Sequence, residues 1–505
     1  MDCTDVTTHN HPADAPAAKR MAVLLTSYNT GACKGLNLGI AGYSHDIVAN
    51  LFIPLLSRWG EVYVIPDPRN NLEAAIQEMR NRNLEPVHVS ILPFQDVCLT
   101  ESAPNIVVPA WEFPDIPNEA FDDNPQNKWP DVAAQCKAVF VGGPFTFDAL
   151  RNAGITVPMH IVPVPTPDPY FELREWAPQQ SVSMEIPAMV LPQDIPATPE
   201  KVRRLPARQQ TKPPPSGLKR WGLAIEAGIR NVTRSVVGSS LYERYERCQR
   251  ALKAGYHATL RPTKLSTLYR TSPEIELSGI VYTSIFNPQD GRKNWSDLLT
   301  GFLMALGDCK DATLVVKLAA SRPDAAQGIL DYYRDRNIPH RCKLIFITEF
   351  LTESQLHDLA AASTFYIQTT RAEGNCLPLM NYLAAARPAI SPCHTAIADY
   401  FDDQVGFVVE SHPEPAAFPH DPELRCRTTW ARIVWPSLVK QIRASYRMAK
   451  SDPDAYRAMS TRARERMNGW ASSEAVWSRL SVALDSTVAA ANLEVTPQIK
   501  ARRAA

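Results

Sequence analysis

The 505-residue chain lacks net charge: Lys+Arg and Asp+Glu both number 53. A protein held to nucleic acid by phosphate neutralisation needs a basic surplus, so that class is excluded. No apolar run approaches the roughly 18 residues of a spanning helix. The first residues, MDCTDVTTHNHPADAPAAKR, contain no apolar segment of the kind a secretory signal needs and read as a polar tail over residues 1–20. Ten cysteines are scattered with no C-x-x-C, which predicts reduced, mostly buried thiols in a cytoplasmic protein. An Asp-x-Asp at a strand end, the usual holder of a metal-bridged diphosphate, is also missing. The one Asp-x-Asp, Asp452-Pro-Asp454, reads as the start of a helix.

What is present is an alternation of short apolar runs and helical segments. MAVLLTSYN, a glycine-bearing loop with Gly39 and Gly42, the helical IVANLFIPLLSRWG and then EVYVIPD make a βαβ unit with a parallel sheet. VHVSILP, NIVVPAWEF, KAVFVGG and MHIVPVP continue the rhythm, so residues 21–171 form one α/β domain. Residues 172–275 break it with a Pro- and Gln-rich stretch, expected to be an extended or disordered insertion and linker in which GLAIEAGIRNV and LYERYERCQRALKAG read as helical. The rhythm resumes over residues 276–420, where TESQLHDLAAAS is a helix with Thr352 as its N-cap. Residues 421–505 read as closing helices, the first of them in TTWARIVWPSLVKQ from Thr428. Two doubly wound domains should face each other across a cleft, with ligands outside the carboxyl ends of the strands.

RAEGNCLPLMNYLAAARPAIS, Arg371–Ser391, concentrates the chemistry. The strand TFYIQTT delivers Glu373 and Gly374 to a loop, and a helix begins near Leu377–Pro378. The backbone N–H groups of Gly374, Asn375, Cys376 and Leu377 therefore point out of a helix N-terminus, an anion site. Glu373 beside them can accept hydrogen bonds from hydroxyls, so phosphate and polyol together suggest a sugar nucleotide. A first-turn acid complementing the helix dipole is an equally good reading of Glu373 alone. Arg292 and Lys293, adjacent in another strand-to-helix loop, suit a diphosphate. They can also be read as a solvated basic turn. On the other domain, Glu112 and His45 are the ionisable residues to consider. Glu112 also reads as a loop hydrogen-bond acceptor, and His45 as a polar residue at a helix start.

AEGNCLPLMNYLAAARPAIS resembles the signature of the family 4 type retaining glycosyltransferases of the GT-B fold, which carry Glu-Gly-x-x-Leu-Pro, a helix and an Arg-Pro-x-Ile strand. DGRKNWSDLLTGF is similar to their Lys-Gly-x-x-x-Leu-x-x-Ala-Phe segment, with Lys293 and Phe302 in register. The loop before GYSHDIVANLFIPLLSRWGEVYVI resembles their acceptor loop. VVPAWEFPDIP resembles a Trp-Glu segment of members that build bacterial polysaccharides. The resemblance covers residues 21–170 and 276–480.

It implies an α/β GT-B protein with two Rossmann-like domains, closing C-terminal helices and a Pro-rich insertion. It implies a hexosyltransferase-like enzyme that moves a sugar from a UDP- or GDP-linked donor to a glycan, lipid-linked or other hydroxyl acceptor, with retention and without metal or resident cofactor. Glu373 would contact the donor sugar, the amides of Gly374, Asn375 and Cys376 the sugar and phosphate, and Lys293 the diphosphate. The family's partner arginine lies nearer Pro288, leaving Arg292 as its nearest substitute. The family's ribose-binding glutamate falls at Asn381. A cytoplasmic location, peripheral at the inner face of the membrane, would suit a lipid-linked acceptor. Asn381 and the displaced arginine also fit a second reading, a GT-B scaffold with weakened catalysis that acts as a binding or assembly partner. An epimerase or phosphorylase on the same scaffold is a third.

Overall fold

The computed structural model describes residues 20–28, 43–178, 181–193, 269–319, 326–417 and 427–503. Gly39, Gly42, the polar tail before Arg20 and most of the Pro-rich insertion lie outside the described residues.

The N-terminal half carries β1 (Arg20–Thr26), α1 (Tyr43–Leu56), β2 (Glu61–Val64), α2 (Pro68–Asn81), β3 (Leu84–Ser90) and β4 (Asn105–Val107). It continues through α3 (Trp129–Ala133), β5 (Ala138–Val141), α4 (Pro144–Asn152), β6 (Met159–Ile161) and α5 (Asp168–Phe171). Its six strands run parallel in the order β2-β1-β3-β4-β5-β6. The near-continuous apolar run of β1 is buried from Ala22 to Thr26, as expected of a parallel strand covered on both faces.

The C-terminal half carries β7 (Ser181–Met184), β8 (Ala188–Val190), β9 (Arg270–Ser272), β10 (Ile275–Ser278), β11 (Ile280–Phe286), α6 (Trp295–Leu306) and β12 (Ala312–Leu318). Next come α7 (Gln327–Arg336), β13 (Lys343–Ile347), α8 (Glu353–Ala362), β14 (Phe365–Ile367), α9 (Leu377–Ala384), β15 (Ala389–Pro392) and β16 (Gly406–Val409). The sheet order is β16-β15-β14-β11-β12-β13-β8-β9. The chain winds from β11 through β12 to β13 on one side, then returns to β14, β15 and β16 on the other. The topological switch point lies between β11 and β14, where open α/β sheets place their ligands. Thr352 caps α8 as expected, completing a capping box with Gln355.

Two sequence expectations need correction. Residues 181–190 are not part of an extended insertion: β8 adds antiparallel to β13, and β7 pairs with β10. Residues 427–433 are not helix but strand β18 (Arg427–Ile433), paired with β17 (Ser411–Ala417). The strand is set by its full antiparallel register with β17, from Arg427 opposite Ala417 to Ile433 opposite Ser411, and it covers Thr428, Ala431 and Ile433. The expected helix begins only at Trp435, where Pro436 fits the first turn.

Three closing helices follow: α10 (Trp435–Ser451), α11 (Pro453–Ala471) and α12 (Ser473–Arg503). α11 packs on the C-terminal domain through Ala463 and Met467. α12 returns to the N-terminal domain, setting Val476, Leu480, Ala483 and Leu484 against Val48, Phe52 and Leu56. Arg58–Glu474 and Trp59–Asp485 contacts fasten its outer edge. Among the described residues no helix is long and apolar enough to cross a membrane.

Candidate active site

A cleft of about 1500 Å³ runs between the two sheets. Its C-terminal wall is built at the switch point. β11 ends in a loop whose 3-10 turn, Gly291–Lys293, is capped by Asp290. Asp290 Oδ1 accepts from the Arg292 backbone N–H at 3.0 Å, and Oδ2 lies 2.7 Å from the Arg292 guanidinium. The loop after β14 is tied to it: the Arg371 N–H donates to the Arg292 carbonyl at 2.8 Å, and Thr369 Oγ1 to that of Asn294 at 2.9 Å.

Lys293 Nζ lies 2.5 Å from Glu373 Oε1, and Glu373 is 5% exposed. Burial is the strongest influence on Lys293 and would lower its pKa, but the nearby negative charges, Glu373 foremost with Asp290, together hold the value above the ordinary lysine range. Glu373 is fixed from behind. Its N–H donates to Thr395 Oγ1 at 3.1 Å, and its carbonyl accepts from Ala396 N at 3.2 Å. Thr395 contacts His394 Nδ1, and His394 Nε2 reaches the Thr370 carbonyl. Burial lowers the His394 pKa. A neutral ring protonated on Nε2, with Nδ1 accepting from Thr395, satisfies this chain of bonds.

The helix start falls where the sequence puts it. Cys376, at φ 59°, caps α9, with Pro378 in the first turn. The N–H groups of Gly374, Asn375, Cys376 and Leu377 receive no hydrogen bond partner among the described residues. They remain available to an anion. The Cys376 thiol, pushed up to about 12 by burial, donates to Gln368 at 3.0 Å and stays protonated.

The two domains meet at this wall. Arg292 Nη1 reaches across to Glu112 Oε1 at 2.9 Å. Burial opposes the arginine's charge, but Glu112, Asp290 and Glu373 together hold its pKa above the ordinary value. Gly374 packs on the Trp111 backbone so closely that a Cβ would lie 3.1 Å from the Trp111 carbonyl oxygen. The Asn375 amide oxygen abuts Gly142, and its backbone carbonyl accepts from the Tyr400 hydroxyl at 2.6 Å. Asp399 accepts from the Phe145 N–H at 3.2 Å, across the domains at the start of α4. Burial raises the Asp399 pKa to about 6 despite that bond.

Asn381, one turn into α9, lines the cleft together with Tyr170. The Tyr170 ring meets His357 edge-on at 4.5 Å. His45 also lines the cleft, edge-on to Tyr28 at 5.3 Å. Neither of its ring nitrogens has a partner among the described residues, and burial lowers its pKa.

Thus Arg292, Lys293, Glu373, Gly374, Asn375, Cys376, Leu377 and Asn381 share one wall, and Glu112 joins them from the other domain. His45 lines the same cleft without contacting them. Asp290, His394, Thr395 and Tyr170 were not foreseen. Only Asp290 carries a local sign, an acid before glycine in a turn.

No protein-family model matches the sequence, and no curated protein does. Solved structures match in shape. Sucrose-phosphate synthase (tll1590) from Thermosynechococcus elongatus is 10% identical, with a TM-score of 0.50 over 93% of this chain and 100% of that one. The fold is GT-B. A glycosyltransferase from Rickettsia africae ESF-5 gives a TM-score of 0.48 at 10% identity, over 93% of this chain and 99% of its own. Anabaena Alr3699/HepE, in complex with UDP and glucose, gives 0.46 at 9%, over 92% and 100%. At such identities the likeness is one of fold, and chemistry must be argued from the site.

Proposed function

We propose that the protein transfers a sugar from a nucleoside-diphosphate sugar to a hydroxyl acceptor, a glycan or a lipid-linked one. The observation that carries this reading is the pairing, at the switch point, of Lys293 and four unengaged amides with the carboxylate of Glu373. Lys293 and the amides form an anion site, and Glu373 beside them suits sugar hydroxyls.

The C1–O bond to the diphosphate breaks with its electron pair leaving on the phosphate oxygen. In this reading Lys293 and the α9 amides stabilise that charge, which lowers the barrier. The acceptor oxygen forms the new bond to C1, and its proton passes to the departing diphosphate. Attack on the face that the diphosphate leaves gives retention without an enzyme nucleophile. The neutralisation comes from side chains and amides, so the reaction as proposed uses no metal. A cytoplasmic enzyme, peripheral at the membrane when its acceptor is lipid-linked, completes the reading.

The second reading is a GT-B binding partner with weakened turnover. It is favoured by the engagement of Arg292 with both Asp290 and Glu112. Binding and turnover with UDP- and GDP-sugars separate the two. Binding with diphosphate release supports the enzyme; binding without release supports the partner; no binding defeats the enzyme reading.

A further inference from the structure

Strand β12 is buried along its whole length, ATLVVKL, although its sixth residue is a lysine. Lys317 is 3% exposed and lines the cleft. Its Nζ donates to the Leu318 carbonyl at 2.7 Å. Among the described residues no carboxylate touches it; Glu349 influences it only through its field. A buried ammonium with no counter-ion is costly. Burial accordingly lowers its pKa to about 8, against the pull of Glu349. At least one N–H remains to be offered into the cleft.

Position says what would receive it. The phosphate-side groups follow β11 and β14, while Lys317 is next to last in β12, between Ile285 of β11 and Ile347 of β13 in register. β12 and β13 lie one and two strand spacings from β11 and two and three from β14, a range of about 5–14 Å whose upper part a nucleoside spans between phosphates and base. Just past β13, Phe350 lines the same cleft and is 39% exposed, offering a stacking face for a heterocycle.

We propose that Lys317 reads the base of the donor and selects keto bases, uracil or guanine, over adenine. Uracil and guanine present a carbonyl oxygen to a lysine, whereas adenine presents an amino group in that place and would leave the buried amine without an acceptor. The inference rests on the nucleotide-sugar reading above.

Titration calorimetry with UDP, GDP and ADP tests it on the full chain. Wild type should bind UDP or GDP at least about tenfold more tightly than ADP. In Lys317→Met that preference should shrink to about threefold or less, with ADP binding little changed. Lys317→Arg, which keeps a donor if the methionine variant does not fold, should retain the preference. Equal binding of ADP by wild type, or an equal loss for all three nucleotides in Lys317→Met, overturns the assignment while leaving nucleotide binding intact. Failure of all three to bind wild type overturns the parent reading as well.

Discussion

Arg292 and Glu112 stand on opposite domains, and their side chains meet at 2.9 Å across the cleft. The carboxylate therefore occupies a face of the guanidinium that a diphosphate would otherwise use. Glu112→Gln should tighten nucleoside-diphosphate binding about three- to tenfold by freeing that face. It should also slow transfer, because a contact between the two domains is weakened. Calorimetry beside a turnover assay checks both signs. Weaker diphosphate binding would show that Glu112 supports the site rather than competes within it.

Lys293 and Glu373 are each other's counter-charge in the free protein. Removing one leaves the other poorly compensated, a loss typically of about 3 kcal/mol for a buried pair. Lys293→Met should lower the melting temperature and weaken diphosphate binding about tenfold or more. Adding Glu373→Gln should restore much of the melting temperature without restoring binding. Additive losses in the double variant would mean that the two residues do not act as a pair.

Gly374 lies against the Trp111 backbone. A methyl group there meets main chain, which cannot swing aside as a flexible side chain can. Gly374→Ala should hold the domains apart. It should cut transfer at least about tenfold while leaving diphosphate affinity within about threefold. Loss of affinity equal to loss of transfer would place the role of Gly374 in donor binding instead.

Asp399 carries a sign that can be worked out. Its pKa is raised to about 6 in the folded protein by burial, so the fold favours its protonated form. The ionised form is disfavoured by comparison with the unfolded chain, and its contribution to stability falls as pH rises from about 4 to 6. Asp399→Asn removes that ionisation and keeps an oxygen for the Phe145 N–H. The variant should melt higher than wild type at pH 7, with the difference closing toward pH 4. Thermal melts of both across that range decide it. A lower melting temperature for the variant at pH 7 would show the carboxylate charge to be favourable at the α4 start.

The wall of the site was legible because its signals are local. A strand ending in polar residues, a Glu-Gly pair and a proline in the next helical turn fixed the α9 start at Leu377 without reference to anything distant. The Thr352 cap was legible for the same reason. The Arg292–Glu112 and Gly374–Trp111 meetings were not, because they join residues far apart in the chain and depend on how the two domains close. Strand β18 was missed because TTWARIVW offers apolar residues to either a helix or a strand. Only its partner β17, which carries Pro413 and Pro415 and is a tolerable strand at a sheet edge, decides between them. The lysine in β12 was passed over because six other apolar or small residues already explain that strand.

The central claim is that Glu373, set beside Lys293 and the α9 amides, holds the sugar of a nucleotide donor during transfer. It is tested most directly by following diphosphate release from UDP- and GDP-sugars with wild type and Glu373→Gln. Wild type should release diphosphate, and the variant should lose at least about a hundredfold in rate with diphosphate binding retained. Equal release by the two proteins, or no nucleotide bound by wild type, would contradict it.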